Sequence, residues 1–335
     1  MTSPAPAGTP GPSGAPERVR LAIVGVGHLG RHHVRVAAGL PGFEVVGIHD
    51  HHNGRADEVA RESGLRVLET PEAVAGASQA VVVATPTTSH AELCRFFLER
   101  GLDVLVEKPI ASGVAEADGL VRLARQRGRI LQVGHVERYN PAIEALLARV
   151  RDPIFVEGHR LAPFTPRSLD LDVVNDLMIH DLQIVTDLVR RPIVDIRAAG
   201  APILTPRLDI AHARLAFEGG CVANLTASRV SSERVRKLRV FGPSRYCSVD
   251  MDTRRVESYR LERGGAGGPP AIVPEEVAVE ADDPLSRELE DFGRAVRTRG
   301  EPLVTGEVGR DALGLAERVV AAAEAHRRGA EVAWA

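Results

Sequence analysis

The sequence predicts an α/β protein with two domains: an N-terminal, doubly wound parallel sheet and a C-terminal α+β domain with a large, mostly antiparallel open sheet. The chain has 335 residues, which is more than one hydrophobic core usually organises. Its first part alternates short apolar runs with amphipathic segments, whereas its second part contains successive strands with period-two alternation. The content of 44% hydrophobic and 26% charged residues is typical of a globular protein.

Residues 1–17 are expected to form a disordered tail, because they are mostly Pro, Gly, Ala, Ser and Thr and bury too little apolar surface. They lack the basic start and apolar run of a signal peptide, and the chain has no apolar stretch of the roughly 18 residues that a membrane span needs. Cys94, Cys221 and Cys247 form no CxxC pair, so neither disulfides nor a zinc site is predicted. We therefore expect a cytoplasmic protein. Its net charge of −3 gives no general attraction to nucleic acid or membranes.

The first predicted domain, residues 18–138, contains strands that are almost entirely apolar. Such strands suit a parallel sheet that is buried on both faces. Strands are predicted at 20–24, 43–49, 80–85, 103–106 and 130–133, and helices at 28–40, 89–100 and 114–127. The alternation of strand and helix indicates βαβ units.

The second predicted domain, residues 139–335, opens with a helix for which Asn140 is the cap and Pro141 the first residue. Strands are predicted at 208–217, 221–229, 236–241 and 254–261, and helices at 173–190, 284–299 and 307–328. Turn residues separate the strands, which predicts antiparallel pairing. Residues 264–270 are expected to form a flexible surface loop.

A glycine-rich turn follows the first predicted strand and opens the first helix. Gly25 allows the tight turn, Gly27 lets the backbone approach a pyrophosphate, and Gly30 permits close packing of helix and strand. The helix N-terminus presents N–H groups to the phosphates. The predicted dinucleotide contacts in the turn are Gly25, Gly27, His28, Leu29 and Gly30.

Asp50 ends the next predicted strand, twenty residues after Gly30, where a carboxylate can accept hydrogen bonds from both ribose hydroxyls. A carboxylate there repels a 2′-phosphate, so NAD is predicted as the cofactor and NADP is the less favoured alternative. Arg55 is close enough to complicate this preference as a further cofactor contact, although it is expected in the first turn of the following helix.

A Glu-Lys-Pro motif at 107–109 follows the strand predicted at 103–106. Ligands of doubly wound sheets bind beyond the carboxyl ends of the strands. Lys108 can hydrogen-bond a substrate hydroxyl there and, if desolvated, accept its proton near neutral pH. A surface lysine in a loop is the alternative that this residue alone leaves open.

Asp176 and His180 are four residues apart in a predicted helix and therefore share one face. A carboxylate and an imidazole in this arrangement can position a proton relay. Metal ligation would need a third ligand nearby, so no metal is predicted. A surface Asp–His pair is the other possibility.

In combination, these motifs resemble those of the Gfo/Idh/MocA oxidoreductases. The resemblance also includes Thr85-Pro86 after the strand predicted at 80–85, and the segment 305–313. It extends from about residue 18 to the C-terminus. It implies a Rossmann domain followed by a domain that binds substrate and forms oligomers.

The resemblance implies that Lys108 is the catalytic lysine, that His180 is its partner acid or base, and that Asp176 orients this partner. A sugar-ring hydroxyl would give its hydride to C4 of the nicotinamide and its proton to His180 or Lys108. The remaining predicted cofactor contacts are Thr85, Pro86, Glu107 and Lys108. His90 opens the helix after Thr85-Pro86, near the expected nicotinamide, and is either a cofactor contact or only a residue of the first helical turn.

Two segments, 134–141 and 176–181, are most similar to family members that act on nucleotide sugars. This similarity implies oxidation of the 3-hydroxyl of a sugar such as UDP-N-acetylglucosamine, in amino-sugar and lipid A biosynthesis. Arg160 and Arg167 are candidates to bind the diphosphate bidentately, with ordinary surface arginines as the alternative. The other predicted substrate contacts are Tyr139, Asn140 and Asn175.

Other functions remain open at this point. A free-sugar or inositol dehydrogenase, or a redox-assisted glycosidase, would use the same fold. A non-catalytic dinucleotide sensor need not retain Lys108, Asp176 and His180, so their presence favours an enzyme. An open antiparallel sheet needs covering, so a homodimer or homotetramer is expected.

Overall fold

The computed structural model describes residues 18–166, 169, 171–263 and 269–334. The predicted tail, Arg167 and most of the predicted loop at 264–270 lie outside the described residues. The described part forms two sheets, one parallel and one mostly antiparallel, as the sequence predicts.

The N-terminal sheet has five strands in the order β2-β1-β3-β4-β5, and all of its pairs are parallel. These strands are β1 (Val19–Val24), β2 (Phe43–His49), β3 (Ala80–Val83), β4 (Asp103–Glu107) and β5 (Leu131–Gly134). Burial on both faces explains their continuous apolar sequences. The carboxyl ends of β1, β3, β4 and β5 therefore meet at one edge of the sheet.

Five helices connect these strands: α1 (His28–Gly39), α2 (Asn53–Ser63), α3 (Pro71–Ala77), α4 (His90–Glu99) and α5 (Val114–Arg127). α1, α4 and α5 agree with the predicted helices within two residues. α2 was expected only as the helix whose first turn contains Arg55, without bounds, and α3 was not predicted. α2 buries only Ala56 and Val59, so its apolar periodicity is weak, and α3 is only seven residues long.

The second sheet has eight strands in the order β13-β12-β11-β10-β6-β9-β8-β7. They are β6 (Phe155–Leu161), β7 (Ile193–Ala201), β8 (Ile210–Phe217), β9 (Val222–Ser228), β10 (Val235–Phe241), β11 (Arg245–Asp250), β12 (Arg255–Glu262) and β13 (Ala271–Glu275). β6 and β9 pair in parallel, and the other neighbours are antiparallel. The sequence predicted only β8, β9, β10 and β12.

The remaining helices are α6 (Pro141–Arg149), α7 (Ile179–Val189), α8 (Pro284–Thr298) and α9 (Gly306–Trp334). α6 begins as predicted, because the Asn140 side chain accepts from the Ala142 N–H and Pro141 is the first helical residue. α6, α7 and α9 cover one face of the large sheet. Among the described helices, none combines the length and apolar composition that crossing a membrane requires.

α8 returns from the second sheet to pack against the first. Its Leu289 and Phe292 are fully buried in the core that β1 and α1 form. The start of α9 lies beside β5, where the Val133 N–H donates to the Val304 carbonyl. The C-terminal helices thus hold the two sheets together beneath the edge that carries the site.

Candidate active site

The glycine turn between β1 and α1 has the backbone geometry that a dinucleotide needs. Gly25 adopts φ +85°, a left-handed conformation that favours glycine, and a Cβ on Gly30 would lie 1.8 Å from the Gly25 carbonyl oxygen. A Cβ on Gly27 would meet nothing within 4 Å. The turn is therefore fixed at Gly25 and Gly30, and the backbone is open to a close ligand at Gly27.

A cavity of about 640 Å³ lies over this turn. It is lined by Gly25, Gly27, His28, Arg31, Asp50, His51, His52, Arg55, Ala84, Thr85 and Pro86. Most of the cofactor contacts predicted near β1, β2 and β3 thus line one space at the N-terminus of α1, and Leu29 lies exposed in the first turn. The set fits the pyrophosphate and adenosine of a dinucleotide.

Asp50 ties the glycine turn to the end of β2. Its carboxylate accepts from the Val26 N–H at 2.9 Å and from the His52 N–H at 2.9 Å, and Arg55 Nη1 lies 3.4 Å from Oδ2. Burial raises the pKa of Asp50, but these N–H groups and the Arg55 guanidinium outweigh it, so the pKa is lowered. The Asp50 carboxylate, which the sequence predicts to bind the ribose, is therefore ionised and stands beside a cation.

His90 has a different role from the predicted cofactor contact. It is the first residue of α4 and is buried, with ring nitrogens 2.8 Å from the Pro109 carbonyl and 2.9 Å from the Thr85 carbonyl. Burial lowers its pKa, and the bonds to the two carbonyls oppose this shift. His90 thus connects the loops after β3 and β4 rather than facing the cavity.

Lys108 follows β4 and reaches across to the second domain. Its Nζ donates to the Asp176 carbonyl oxygen at 2.6 Å and to Asp176 Oδ1 at 3.0 Å. The Lys108 and Asp176 side chains retain 16% and 20% exposure, so the pair is partly open to solvent. We call the space that this pair borders, at the carboxyl edge of the parallel sheet, the cleft. The sequence analysis expected Asp176 to orient His180. In the structure, Asp176 contacts Lys108 instead.

A π-helical turn, Val174–Met178, precedes α7 and presents Asp176 to Lys108. Asp172 begins this turn, because its Oδ1 accepts from the backbone N–H groups of Val174 and Asn175. π-turns disrupt the regular pattern of helical hydrogen bonds, which leaves carbonyls for other partners. The carbonyl of Asp176 accordingly accepts from a lysine.

His180 lies in the first turn of α7 and is only 8% exposed. Burial, followed by the Lys108 and Arg160 charges, holds the pKa of His180 well below its ordinary value. Its ring meets the His135 ring edge-on, with centroids 5.7 Å apart. The structure thus adds His135 to the site, a residue that the sequence analysis did not single out within the segment 134–141.

Glu107 contacts a buried polar cluster behind the cleft. Glu107 Oε1 lies 2.7 Å from His33 Nε2, and the Glu288 carboxylate of α8 lies within 4.8 Å of both groups. The 2.7 Å distance is a hydrogen bond, since two ligands of a tetrahedral ion would lie roughly 3.3 Å apart. Burial and then the nearby Glu107 carboxylate raise the pKa of Glu288 well above its usual range. Glu107 is therefore held from behind by His33 rather than facing the glycine turn.

Arg160 does not act as the predicted diphosphate ligand. It is 2% exposed, and its guanidinium donates to both Asp181 oxygens at 2.8 and 2.9 Å and to Glu137 Oε1 at 2.9 Å. Burial lowers the pKa of Arg160, but the Asp181 and Glu137 carboxylates raise it by more than burial lowers it. The net pKa is therefore raised, and Arg160 is a permanent buried cation. The period-two pattern of β6 was not recognised in the sequence, which concealed this inward orientation.

The side chains of Tyr139 and Asn140 are also bonded to other protein groups and do not face the cleft. The Tyr139 hydroxyl donates to Asp291 of α8 at 2.9 Å, and the Asn140 amide donates to Glu137 and to the Met251 carbonyl. Both side chains are buried. Asn175 is half-buried and donates to Asp172 at 2.8 Å. Among the described substrate candidates, it is the one next in sequence to Asp176, which Lys108 contacts.

Comparison with known proteins relates these features to an oxidoreductase. Residues 19–135 match the model of the Gfo/Idh/MocA "Oxidoreductase family, NAD-binding Rossmann fold". UDP-N-acetylglucosamine 3-dehydrogenase of Acidithiobacillus ferrooxidans is 38% identical over 92% of this chain and 98% of its own length. Scyllo-inositol 2-dehydrogenase (NAD(+)) of Bacillus subtilis is 27% identical over 86% of this chain and 89% of its own length.

Solved structures give the same relationship. The structure of the A. ferrooxidans enzyme matches with a TM-score of 0.87 at 38% identity, over 92% of this chain and 98% of that one. An NADPH-dependent oxidoreductase of Desulfitobacterium hafniense, described as putative, shares the fold with a TM-score of 0.81 at 17% identity. It covers 92% of this chain and 96% of its own.

Proposed function

The chain belongs to the Gfo/Idh/MocA oxidoreductase family, and we propose that it is an NAD-dependent dehydrogenase acting on the 3-hydroxyl of a nucleotide sugar such as UDP-N-acetylglucosamine. The observation that carries the reaction type is the contact of Lys108 with Asp176 at the carboxyl edge of the parallel sheet, with His180 near enough for the Lys108 charge to lower its pKa. The relative with 38% identity over nearly the whole chain supports the substrate.

A bound nicotinamide would supply the hydride acceptor. Lys108 provides the donor that orients the substrate hydroxyl, and Asp176 holds the ammonium group through two oxygens. A donor that is fixed in this way accelerates the reaction, because it holds the substrate hydroxyl in the reactive orientation.

His180 is the group that receives the hydroxyl proton in this proposal. Its lowered pKa keeps the imidazole neutral at neutral pH, so a lone pair is available to the hydroxyl. Proton transfer by a positioned imidazole contributes on the order of 10²–10⁴ in rate. The surrounding Lys108 and Arg160 charges disfavour a lasting imidazolium, which promotes release of the proton after the hydride has left.

NAD is the proposed cofactor because the ionised Asp50 carboxylate suits two ribose hydroxyls and repels a 2′-phosphate. The Arg55 guanidinium beside it reduces that repulsion. We therefore propose a preference for NAD rather than an exclusion of NADP, measured as the ratio of kcat/KM values for the two cofactors.

The reaction is tested by mixing the protein with NAD and UDP-N-acetylglucosamine and following NADH absorbance. We expect reduction by the wild type and its loss in Lys108→Met. Absence of turnover with every UDP-hexosamine would contradict the proposal. A free inositol is the second candidate substrate, because an inositol dehydrogenase is among the relatives. It is distinguished by turnover of inositol that UDP does not inhibit.

We also propose a homodimer or homotetramer in the cytoplasm. The described helices pack on one face of the large sheet, and a row of aromatic rings crosses four of its strands. This row consists of Phe155, Phe241, Tyr246 and Tyr259. An aromatic row on an uncovered sheet face favours self-association, which sedimentation measures. The buried free thiols at Cys94, Cys221 and Cys247 suit a reducing compartment.

A further inference from the structure

His135 is a buried polar side chain at the carboxyl end of β5 that the proposed reaction does not yet use. It is 1% exposed, and neither Nδ1 nor Nε2 has a hydrogen-bond partner among the described residues. A buried donor or acceptor without a partner has lost its hydration and gained no hydrogen bond in exchange. We therefore expect His135 to form a hydrogen bond in the working enzyme.

Among the residues described, His180 also lacks a hydrogen-bond partner for one of its ring nitrogens. Its Nδ1 is also buried without a partner in the described part of the chain. For Nε2 to accept a proton, the ring must carry its own proton on Nδ1, and this N–H requires an acceptor. The carbonyl of Asp176, one turn earlier, already accepts from Lys108.

The two imidazoles lie edge to face with centroids 5.7 Å apart. Two ring nitrogens that pointed directly at each other would be roughly 3.4 Å apart, so a normal hydrogen bond requires the rings to turn towards each other and to approach by a few tenths of an ångström. Burial and the Lys108 charge lower the pKa of His135 to about 3. His135 is thus neutral throughout the working range and always has a lone pair to offer. It cannot itself store the substrate proton.

We propose that His135 is a positioning residue that accepts the Nδ1–H of His180 and thereby holds the Nε2 lone pair of His180 towards the substrate hydroxyl. This inference rests on the proposed function in so far as His180 is the base. His135 plays the part that a carboxylate plays in other acid–base pairs, but without adding a negative charge. A neutral acceptor suits a site where Lys108 must remain available to the substrate.

Three variants test this role. His135→Phe keeps the aromatic edge against His180 and removes both nitrogens, whereas His135→Asn and His135→Gln restore an acceptor near the positions of Nδ1 and Nε2. We expect kcat of the Phe variant to fall at least about 10-fold, with KM for the sugar and affinity for NAD within about 3-fold of wild type. At least one amide variant should recover most of kcat.

A second readout does not depend on turnover. Nitrogen-15 NMR of the imidazoles reports which ring nitrogen of His180 carries the proton, with His180→Gln to assign the signals. We expect a Nδ1–H tautomer in the wild type and a mixture of tautomers in His135→Phe. If the tautomer and kcat are both unchanged in the Phe variant, His135 does not position His180. If the tautomer shifts but no UDP-hexosamine is oxidised by the wild type, the proposed function fails while the positioning role stands.

Discussion

Glu288 gives a stability prediction that follows directly from its surroundings. The side chain is fully buried on α8, and neither carboxylate oxygen has a partner among the described residues. Burial, then Glu107 and then Asp291, raise its pKa well above the ordinary value. We therefore predict that the folded protein keeps a proton on Glu288 at pH values where the unfolded chain, with a pKa of about 4.3, has released it.

The sign of the pH dependence follows from this difference in bound protons. The contribution of Glu288 to stability is complete below the unfolded pKa and is lost as the pH rises through the folded pKa. Within that window the free energy of unfolding falls by about 1.4 kcal/mol per pH unit. Glu288→Gln removes the titrating group and keeps the shape of the neutral acid. Relative to that of the wild type, its free energy of unfolding should therefore rise by this amount with each pH unit.

Calorimetry at constant ionic strength between pH 5.5 and 7.5 measures the effect. For 335 residues the entropy of unfolding is about 0.7 kcal/mol/K, so the Tm difference should grow by about 2 °C per pH unit. Glu290→Gln, an exposed change on the same helix, is the control and should follow wild type. A Tm difference for Glu288→Gln that stays constant over this range would show that the folded protein does not hold the proton.

Three further predictions concern the cavity, the lysine and the buried arginine. Gly30→Ala should abolish NAD binding in a calorimetric titration, because its Cβ would collide with the Gly25 carbonyl; unchanged affinity would refute the assignment of the turn. Asp176→Asn should lower kcat about 10-fold and leave NAD affinity unchanged, since it weakens the hold on Lys108, and an unaltered kcat would remove Asp176 from the mechanism. Arg160→Met should cost about 3–5 kcal/mol in urea unfolding, because it leaves the buried Asp181 carboxylate without its cation and Glu137 with Arg236 alone, against less than about 1 kcal/mol for Arg239→Met at an exposed pair; equal costs would contradict the buried network.

The sequence predicted the parallel sheet well because its strands are continuous apolar runs separated by regular helices. It predicted the glycine turn and Lys108 for a similar reason, since both follow directly from strand ends. It missed β6, β7, β11 and β13, whose sequences mix charged and apolar residues because one face of the sheet is exposed.

The errors in the site have a common physical cause. Arg160, Tyr139, Asn140 and His90 carry polar groups that sequence position placed near the cleft, yet each is buried and bonded within the framework. Whether a polar side chain points to a ligand or to a buried partner depends on contacts between distant segments. The pairing of Arg160 with Asp181 joins β6 to α7, and local sequence contains no signal for it.

The most direct test of the proposed reaction follows the hydrogen atom itself. The protein is incubated with NAD and UDP-N-acetylglucosamine that carries deuterium at C3, and the reduced cofactor is analysed by mass spectrometry. Hydride transfer from the 3-position predicts NADH that is heavier by one mass unit, formed together with a 3-keto sugar, and no such product in Lys108→Met. Reduced cofactor without deuterium, or no reduced cofactor at all, would contradict the account.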